Sequence, residues 1–381
     1  MENRICLSTP TIHGEEQGFI QEAFEKNWIG PLGFNCDGFE AEMTSYLHQC
    51  GAGYEPDLYA FAANSGTSAL HLAIKLAGVK RGEHVLCSDM TFAATLNPVT
   101  YEGGVQVFVD SERETWNMDP AALEKAFEKY PDARVVLLVH LYGTPAKMDE
   151  IMEICKAHNA ILIEDAAEAL SSTYHGRACG TFGDLAAFSF NGNKIITSSC
   201  GGMLISRTRE QREKAFFWAT QAREKSPWYE HKELGYNYRM SNILAGIGRG
   251  QLLHLEEHRK RKEEIYRRYE AGLKDLPISM NPYLPESSPN FWLSCILLDK
   301  DCGVSFMDVM NRLAENNVET RPIWKPMHMQ PFYADRDFVF AEKTPVNEDI
   351  FSRGLCIPSD IKMTDEEQDY VIQLLHDFIG K

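Results

Sequence analysis

Short, continuously apolar segments alternate with helical patterns along the first part of the chain, and this alternation constrains the fold more than any other feature. The strand candidates are residues 58–62, 84–87, 105–109, 135–139 and 160–163. Amphipathic segments at residues 120–130 and 147–158 lie between some of them. Strands that are apolar on both faces belong to parallel sheets covered by helices on both sides. The sequence therefore predicts an α/β domain built on a mainly parallel sheet.

The length of 381 residues exceeds what one ordinary core requires, so we expect two domains of unequal size. We place the large domain at residues 1–250. Residues 251–381 mix short strands with helices and predict a small α+β domain. Its last helix begins with a capping box, in which Thr364 is followed three positions later by Glu367.

Charge and composition exclude several classes of protein. A formal net charge of -17 repels polyanions and argues against a nucleic-acid-binding protein. No apolar run approaches the roughly 20 residues of a membrane helix, and the first residues lack the apolar segment of a signal peptide. The ten cysteines form no CxxC pair, which indicates reduced packing residues and no disulfide or metal framework. We therefore expect a cytoplasmic protein.

One lysine, Lys194, lies in a turn between two strand candidates and not on a charged helix face. Residues 188–202 are Phe-Ser-Phe-Asn-Gly-Asn-Lys-Ile-Ile-Thr-Ser-Ser-Cys-Gly-Gly. A lysine held on such a loop loses solvation, and its amine can then attack a carbonyl carbon. Taken alone, Lys194 also fits a surface loop, which is the ordinary place for a lysine.

Two further groups lie upstream at the ends of strand candidates. Asp165 follows residues 160–163, where a charge beside a buried strand needs a partner, although it could also cap the next helix. Lys194 comes about thirty residues later, which is the length of one strand and loop in a βαβ-type unit. Asp165 and Lys194 can therefore reach one crevice. Residues 64–68, Asn-Ser-Gly-Thr-Ser, join a strand to a helix whose first N–H groups suit a phosphate, or form an ordinary N-cap.

Two further features, an aromatic residue and a loop, each allow a functional and a structural interpretation. Phe92 lies just beyond the strand at residues 84–87, at the edge where α/β proteins bind ligands, or else it is a core residue. Residues 321–328 place a guanidinium, an indole and an imidazole on one loop. These groups could hold a diphosphate and a ring, and a proline-rich surface loop is the alternative.

Together, an amine nucleophile, a carboxylate at a strand end and a phosphate-binding turn describe pyridoxal phosphate chemistry. Lys194 would attach the cofactor covalently, and Asp165 would keep its pyridine nitrogen protonated. The cofactor would also need donors to its phosphate, for which the candidates are Gly66, Thr67 and Ser189. Phe92 could cover one face of its ring and Ala167 the other.

These motifs make the chain similar to the DegT/DnrJ/EryC1/StrS family of sugar aminotransferases, which have the aspartate aminotransferase fold (fold type I). The resemblance runs nearly end to end, through residues 27–33, 65–68, 91–95, 164–168, 188–194, 236–242 and 321–328. The run from Phe188 to Thr197 resembles the branch that makes UDP-bacillosamine precursors and related exopolysaccharide sugars. The resemblance implies a large domain that binds pyridoxal 5'-phosphate and a small C-terminal domain.

The resemblance also implies roles for individual residues. Lys194 would hold the cofactor and move the proton between the substrate carbon and C4′ of the cofactor. Thr95 and Glu168 would belong to the cofactor site, with Glu168 on the side of the ring hydroxyl. Asn237 would reach the cofactor phosphate of a neighbouring subunit, which implies a homodimer with shared active sites. The implied contacts to a nucleotide sugar are Asn27, Trp28, Ile29, Gly30, Ala63, Arg239, Arg321, Pro322, Ile323, Trp324 and His328.

The chain departs from the family pattern at two positions. Cys200 stands where relatives usually have glycine, and its side chain is expected to shift the turn without touching the chemistry. Glu168 stands where relatives often have glutamine or histidine, and it adds a carboxylate beside the ring hydroxyl. Dehydratases of the same family have histidine in place of the cofactor lysine, so Lys194 argues against that activity.

The resemblance implies transfer of an amino group from L-glutamate to C4 of a UDP-linked 4-keto-6-deoxy-N-acetylhexosamine. One alternative is another nucleotide keto-sugar, such as a dTDP sugar or a 3-keto sugar. Another is a protein that binds the cofactor and acts as a regulator or scaffold. The presence of both Lys194 and Asp165 argues against the regulator.

Overall fold

The computed structural model describes residues 4–50 and 57–380 of the chain. The helices of this part are α1 (Glu15–Glu25), α2 (Phe34–Gln49), α3 (Gly66–Leu76), α4 (Ala93–Tyr101), α5 (Pro120–Lys129), α6 (Met148–Ala157), α7 (Arg209–Ala219), α8 (Asn242–Leu252), α9 (Leu255–Gly272), α10 (Phe306–Glu315), α11 (Val346–Arg353) and α12 (Asp365–Ile379). Short 3-10 helices lie at Leu141–Gly143, Met327–Met329 and Pro331–Tyr333.

The strands of the same part are β1 (Tyr59–Ala63), β2 (His84–Ser88), β3 (Val105–Val109), β4 (Val135–Val139), β5 (Ile161–Asp165), β6 (Thr173–Tyr174), β7 (Arg177–Ala178), β8 (Leu185–Ser189), β9 (Gly202–Ser206), β10 (Ile278–Met280), β11 (Ser287–Ser288), β12 (Ser294–Leu298), β13 (Arg321–Pro322), β14 (Asp337–Val339) and β15 (Gly354–Ile357). The five strands predicted from the apolar runs agree with β1 to β5 to within two residues at each end.

Eight of the described strands form one sheet in the order β1-β9-β8-β5-β4-β2-β3-β14. Within it β9 runs antiparallel to both of its neighbours, and the other pairs are parallel. The predicted mainly parallel sheet is confirmed. The edge strand β14 was not predicted, because it has only three residues and its pairing with β3 joins positions far apart in the sequence.

Helices cover both faces of this sheet because its central strands are apolar on both sides. Val85 and Cys87 of β2 pack in one cluster with α3, α4 and α7, whereas Leu86 between them packs in a second cluster with α5 and α6. Successive residues of a strand point to opposite faces. The continuous apolar runs of the sequence are therefore what a sheet between two helical layers requires.

A second, antiparallel sheet has the order β10-β12-β15-β13 and packs with α9, α10 and α12 around its own apolar cluster. Residue 250, the predicted end of the large domain, lies inside α8, and β14 returns from the later part of the chain to the large sheet. The division at residue 250 stays a prediction. Among the described residues, no helix combines the length and the apolar character needed to cross a bilayer.

A buried carboxylate joins the end of β2 to the loop that follows β13. Asp89 has no exposed surface, and its Oδ1 and Oδ2 accept hydrogen bonds from the backbone N–H of His328 at 2.8 Å and from its Nδ1 at 2.7 Å. Asn347 also donates its side-chain amide to Oδ2. Burial raises the pKa of Asp89, and its hydrogen bonds with His328 act in the opposite direction. Asp89 thus fixes the His328 loop against the large sheet.

We expect Asp89→Asn to lower the free energy of unfolding by about 2–3 kcal/mol. The asparagine would remove the charge that His328 pairs with, and an amide group could then face the amide of Asn347. Urea unfolding of the two proteins measures the difference. Asp335→Asn is the matched control, because Asp335 is exposed and pairs with its neighbour Arg336, and should change stability by less than about 0.5 kcal/mol. Equal losses in both variants would contradict the role given to Asp89.

Candidate active site

The carboxyl ends of β2, β4, β5 and β8 and the start of α3 surround one cavity of about 970 Å³. Ligand pockets of proteins commonly have volumes of about 300–1,000 Å³. Residues of the loop around β13 and of the N-terminal segment complete the wall. The predicted site residues that line this cavity are Gly66, Thr67, Phe92, Thr95, Asp165, Ala167, Glu168, Ser189, Lys194, Arg321, Pro322, Ile323 and Trp324.

Lys194 lies on the loop between β8 and β9 with its amine directed into this cavity. Its Nζ is 3.2 Å from Oε1 of Glu168 and 4.0 Å from the centre of the Trp292 ring. The loop is closed by backbone hydrogen bonds from Phe190 to Gly201 at 2.9 Å and from Ser198 to Phe190 at 2.9 Å. With only 12% of its side chain exposed, Lys194 is not the surface lysine that its sequence position alone would suggest.

Asp165 is the last residue of β5 and is 5% exposed. Its Oδ2 accepts a hydrogen bond from Oγ1 of Thr95 at 2.6 Å, and its Oδ1 accepts one from the N–H of Ala167 at 3.0 Å. Burial raises the pKa of Asp165, whereas Thr95, Ala167 and Lys194 act to lower it. A buried carboxylate that lines a cavity favours a cationic partner there, and the protonated nitrogen of a pyridine ring meets that need.

The helix α3 begins at the cavity wall with the predicted N-cap. Oγ of Ser65 accepts from the N–H of Ser68 at 3.1 Å, so the capping interpretation is also right. The first N–H groups of a helix have no partner within it, and those of Gly66 and Thr67 are the earliest ones of α3. A Cβ atom on Gly66 would come within 3.0 Å of Cβ of Ser189. Glycine therefore allows α3 and β8 to approach closely, as a shared phosphate site requires.

The loop around β13 covers the opposite side of the cavity. The ring of Trp324 lies 5.7 Å from that of Phe92, centre to centre. Phe92 is 60% exposed, so it is not the core residue that the alternative interpretation suggested. Arg321 is paired with Glu319 at 2.7 Å and stays largely exposed. Two aromatic rings and a guanidinium thus stand at the entrance.

Other predicted residues do not line the cavity of this chain. His328 is held by Asp89 and Glu348 and stacks on Phe338 at 4.0 Å, so both of its ring nitrogens are occupied. Arg239 pairs with Asp37 at 3.7 Å next to the fully buried Ala63. The rest lie on the surface or near it, namely the exposed Asn27, Trp28, Ile29 and Asn237 and the half-buried Gly30.

Several cavity residues were not predicted. Leu7 and Ser8 of the N-terminal segment line the wall, and so does Trp292. Trp292 belongs to residues 291–298, whose apolar character predicts a strand, yet the strand β12 begins only at Ser294. An aromatic residue that packs in a core and one that lines a ligand site look alike in the sequence, so no local signal distinguished Trp292.

The turn after Lys194 explains how the chain accommodates Cys200. The residue with left-handed backbone in this turn is Ser199, with φ 71°. Cys200 itself is not among the residues with positive φ, so it does not need to be glycine. The exposed Cys200 lines the cavity, and its carbonyl accepts a hydrogen bond from Oγ of Ser198 at 2.7 Å.

Glu168 is a buried carboxylate beside the amine of Lys194. Its Oε2 accepts from the N–H of Tyr142 at 2.8 Å, while Oε1 faces Lys194. Burial raises the pKa of Glu168 from 4.5 to about 7, although Lys194 and the Tyr142 N–H oppose that change. Glu168 therefore changes charge near neutral pH, within reach of the amine.

We expect Glu168→Gln to gain stability relative to the natural protein as the pH rises. Because the pKa of Glu168 is higher in the folded chain than in the unfolded one, its ionisation lowers the free energy of unfolding progressively between about pH 4.5 and about pH 7, and the loss is constant above that range. Between pH 5 and pH 8, the unfolding free energy of the natural protein should fall by about 2.5 kcal/mol relative to that of the variant. Urea unfolding of cofactor-free protein at both pH values measures it, and a constant difference would contradict this assignment.

The arrangement suits an enzyme that uses pyridoxal phosphate to transfer amino groups, and the fold is that of the type I aminotransferases. The donor set fits this cofactor, with an amine for its carbonyl, a buried carboxylate for its ring nitrogen and helix N–H groups for its phosphate. The chain belongs to the DegT/DnrJ/EryC1/StrS aminotransferase family, which it matches over residues 10–376. It is a sugar aminotransferase that depends on pyridoxal phosphate.

Similar proteins cover the chain from end to end. EpsN of Bacillus subtilis (strain 168) is 46% identical, over 98% of this chain and 96% of EpsN. The GDP-perosamine synthase of Caulobacter vibrioides is 34% identical, over 98% of this chain and 97% of that enzyme. Among solved structures, the aminotransferase TlmJ from Streptoalloteichus hindustanus has a TM-score of 0.87 at 26% identity, with 99% of each chain covered. These similarities confirm the predicted family, fold and cofactor.

Proposed function

We propose that this enzyme transfers an amino group from L-glutamate to C4 of a UDP-linked 4-keto-6-deoxy-N-acetylhexosamine. The product would be a UDP-4-amino-4,6-dideoxy sugar for glycan or exopolysaccharide synthesis. The observation that carries the transferase chemistry is that Lys194, Asp165 and the start of α3 meet in one cavity. The UDP sugar is favoured by the residues 188–197, whose sequence resembles that of the bacillosamine branch.

The residues of the chain would hold the cofactor at three points. Lys194 would attach it through its amine, Asp165 would pair with its ring nitrogen, and Thr95 would orient Asp165 through their 2.6 Å hydrogen bond. When bound, pyridoxal phosphate supplies the carbonyl that accepts the amino group and an electron sink for the bonds that break. The remaining cofactor contacts would be Gly66, Thr67 and Ser189 at the phosphate, Phe92 and Ala167 at the ring faces, and Glu168 at the ring hydroxyl.

Lys194 would also act as general base and general acid in both half-reactions. It would take the proton from the carbon that carries the amino group of glutamate and return a proton when the sugar accepts that group. Glu168, 3.2 Å away, would pair with the ammonium form of Lys194 between the two proton transfers. Only 12% of the Lys194 side chain is exposed, which would limit the exchange of a proton held there with solvent.

The nucleotide sugar would enter past the loop around β13. With a net charge of -17, the protein as a whole repels a diphosphate, so local cations have to attract it. Arg321 and Lys325 line the cavity and can provide that attraction, and Trp324 offers a ring for stacking. Pro322 and Ile323 shape the same wall.

A homodimer would give roles to the predicted residues that lie outside the cavity of one chain. Asn237 is exposed, and three large apolar residues near it, Trp228, Tyr229 and Leu234, are 66%, 76% and 71% exposed. A second subunit would cover these apolar residues. Asn237 of the first subunit would then reach the phosphate of the cofactor bound to the second. The proposed sugar contacts outside the cavity are Asn27, Trp28, Ile29, Gly30, Ala63, Arg239 and His328. Sedimentation of the purified protein measures the assembly state, and a monomer would contradict it.

The first experiment is an absorbance spectrum of the purified protein, repeated after addition of L-glutamate and then of UDP-4-keto-6-deoxy-N-acetylglucosamine. Loss of the visible cofactor band with glutamate and its return with the sugar would support both half-reactions. A band that is lost and does not return would reject this acceptor and keep the aminotransferase. No band after addition of pyridoxal phosphate would contradict the role of Lys194.

Other nucleotide sugars are the second candidates for the acceptor. Two relatives 32% and 34% identical to this chain are GDP-perosamine synthases, and a third, 31% identical, is a dTDP-4-dehydro-2,3,6-trideoxy-D-glucose 4-aminotransferase. The same spectrum with GDP- and dTDP-linked 4-keto sugars, and with a 3-keto sugar, tests them. The acceptor is the sugar that restores the band at the lowest concentration.

A further inference from the structure

We propose that Trp292 is a positioning residue that holds Lys194 at the point from which its amine reaches the cofactor. The proposal rests on the function proposed for Lys194 and concerns the chain's own contacts around it. Trp292 is 2% exposed and lies just before β12, about a hundred positions after Lys194 in the sequence. It was not among the residues that the sequence indicated.

One side chain contacts both ends of Lys194. The indole Nε1–H of Trp292 donates a hydrogen bond to the carbonyl oxygen of Asn193 at 2.7 Å, which fixes the peptide that precedes the lysine. The face of the same indole lies 4.0 Å from Nζ of Lys194, within the range of a cation–π contact. Because Trp292 fixes both the backbone and the amine, it limits where the lysine can move.

The N-terminal segment supports the same peptide. Oγ of Ser8 donates to the carbonyl oxygen of Asn193 at 3.2 Å, so this oxygen accepts hydrogen bonds from two segments that are remote in sequence. Leu7, the residue before Ser8, accepts at its own carbonyl from the N–H of Ser359 at 2.8 Å. The loop of Lys194 is therefore held from outside the large sheet.

A buried lysine, Lys262 of α9, fastens these supports to each other. Its Nζ donates to the carbonyl oxygen of Trp292 at 2.9 Å, to Oγ of Ser8 at 3.2 Å and to the carbonyl oxygen of Ser359. Lys262 is 3% exposed, and burying an ammonium is costly unless several oxygens surround it. Because it donates to both segments, the amine of Lys262 fixes Trp292 and Ser8 in one arrangement.

The placement matters most when Lys194 is not attached to the cofactor. Its ammonium then rests between the carboxylate of Glu168 at 3.2 Å and the indole face of Trp292 at 4.0 Å. This position lies in the cavity that Asp165 and the start of α3 also line, where the cofactor would be held. If Trp292 merely filled the core beside Tyr142, its loss would lower stability without slowing the return of the lysine.

The test measures how fast Lys194 attaches to pyridoxal phosphate in cofactor-free protein. Absorbance after rapid mixing follows the reaction, and borohydride reduction followed by mass spectrometry measures the attached fraction. Ser8→Ala should slow attachment about 3-fold, and Trp292→Phe, which loses the donor and keeps a ring, about 5- to 10-fold. Trp292→Leu loses both contacts and should slow it about 50- to 100-fold. Trp116→Phe is the control, because Trp116 is 4% exposed in the same apolar cluster and does not line the cavity.

Attachment by Trp292→Leu at the natural rate would overturn the proposal, and so would equal slowing in Trp292→Phe and Trp116→Phe. If Trp292→Leu does not fold, Trp292→Phe and Ser8→Ala decide the question by the same comparison. Failure of the natural protein to attach the cofactor at all would instead reject the proposed function. The two failures are therefore distinguishable within one experiment.

Discussion

Replacing Lys194 by alanine is expected to lower kcat by about 10³-fold or more, because the variant loses both the attachment point and the group that moves the proton. The fold should survive, since Lys194 lies on a loop closed by backbone hydrogen bonds between Phe190, Ser198 and Gly201. The cofactor should still bind through Asp165 and the start of α3, without a covalent link. Multiple turnover with L-glutamate and the keto-sugar measures the loss.

Two companion measurements make this prediction specific. A small primary amine added to Lys194→Ala should restore part of the rate, because it can enter the emptied space and carry the proton. Lys325→Ala is the control, since Lys325 also lines the cavity but belongs to the loop around β13 and not to the loop that carries Lys194. That variant should raise KM for the nucleotide sugar and leave kcat nearly unchanged. Normal turnover by Lys194→Ala would reject the mechanism.

The sequence predicted the parts of the structure that depend on local patterns. The strands β1 to β5 follow from apolar runs, and the α3 N-terminus follows from Ser65 and the residues after it. Lys194 and Asp165 were expected in one crevice because about thirty residues separate them, the length of one strand and loop in a βαβ-type unit. The structure places both in one cavity.

The missed parts depend on contacts between distant segments. Trp292 and Ser8 meet the Lys194 loop across 99 and 185 sequence positions, and no periodicity marks either residue. The partner of His328 was missed in the same way, because its ring is bound by a carboxylate 239 positions away, Asp89. A single sequence gives the chemical character of such residues, and only the folded chain determines their partners.

Glu168 illustrates how one departure from the family pattern acquires a physical consequence. A glutamine at this position would place an uncharged amide beside the amine of Lys194, whereas Glu168 provides a carboxylate whose pKa is raised by burial to about 7. The charge 3.2 Å from the amine of Lys194 therefore changes in the pH range around 7. The pH dependence of the natural enzyme should therefore differ from that of the variant Glu168→Gln.

The second large effect is expected for Asp165→Asn, which should lower kcat by about 10²–10³-fold with little change in fold. Asparagine keeps the size of Asp165. Its single oxygen can accept from the N–H of Ala167 while its amide group donates to Oγ1 of Thr95, so β5 should end in the same way. It cannot carry the negative charge that stabilises a protonated ring nitrogen, and the electron sink is weakened as a result.

Rapid-mixing absorbance of each half-reaction separates this effect from a loss of cofactor. Asp165→Asn should still attach pyridoxal phosphate through Lys194, and the step that removes the proton from glutamate should be slow. Thr95→Val is the matched variant, because it removes one hydrogen bond to Asp165 and keeps the charge, and about a 10-fold loss is expected. If both variants lost activity equally, orientation of Asp165 would outweigh its charge. Full activity of Asp165→Asn would mean that another group holds the ring nitrogen.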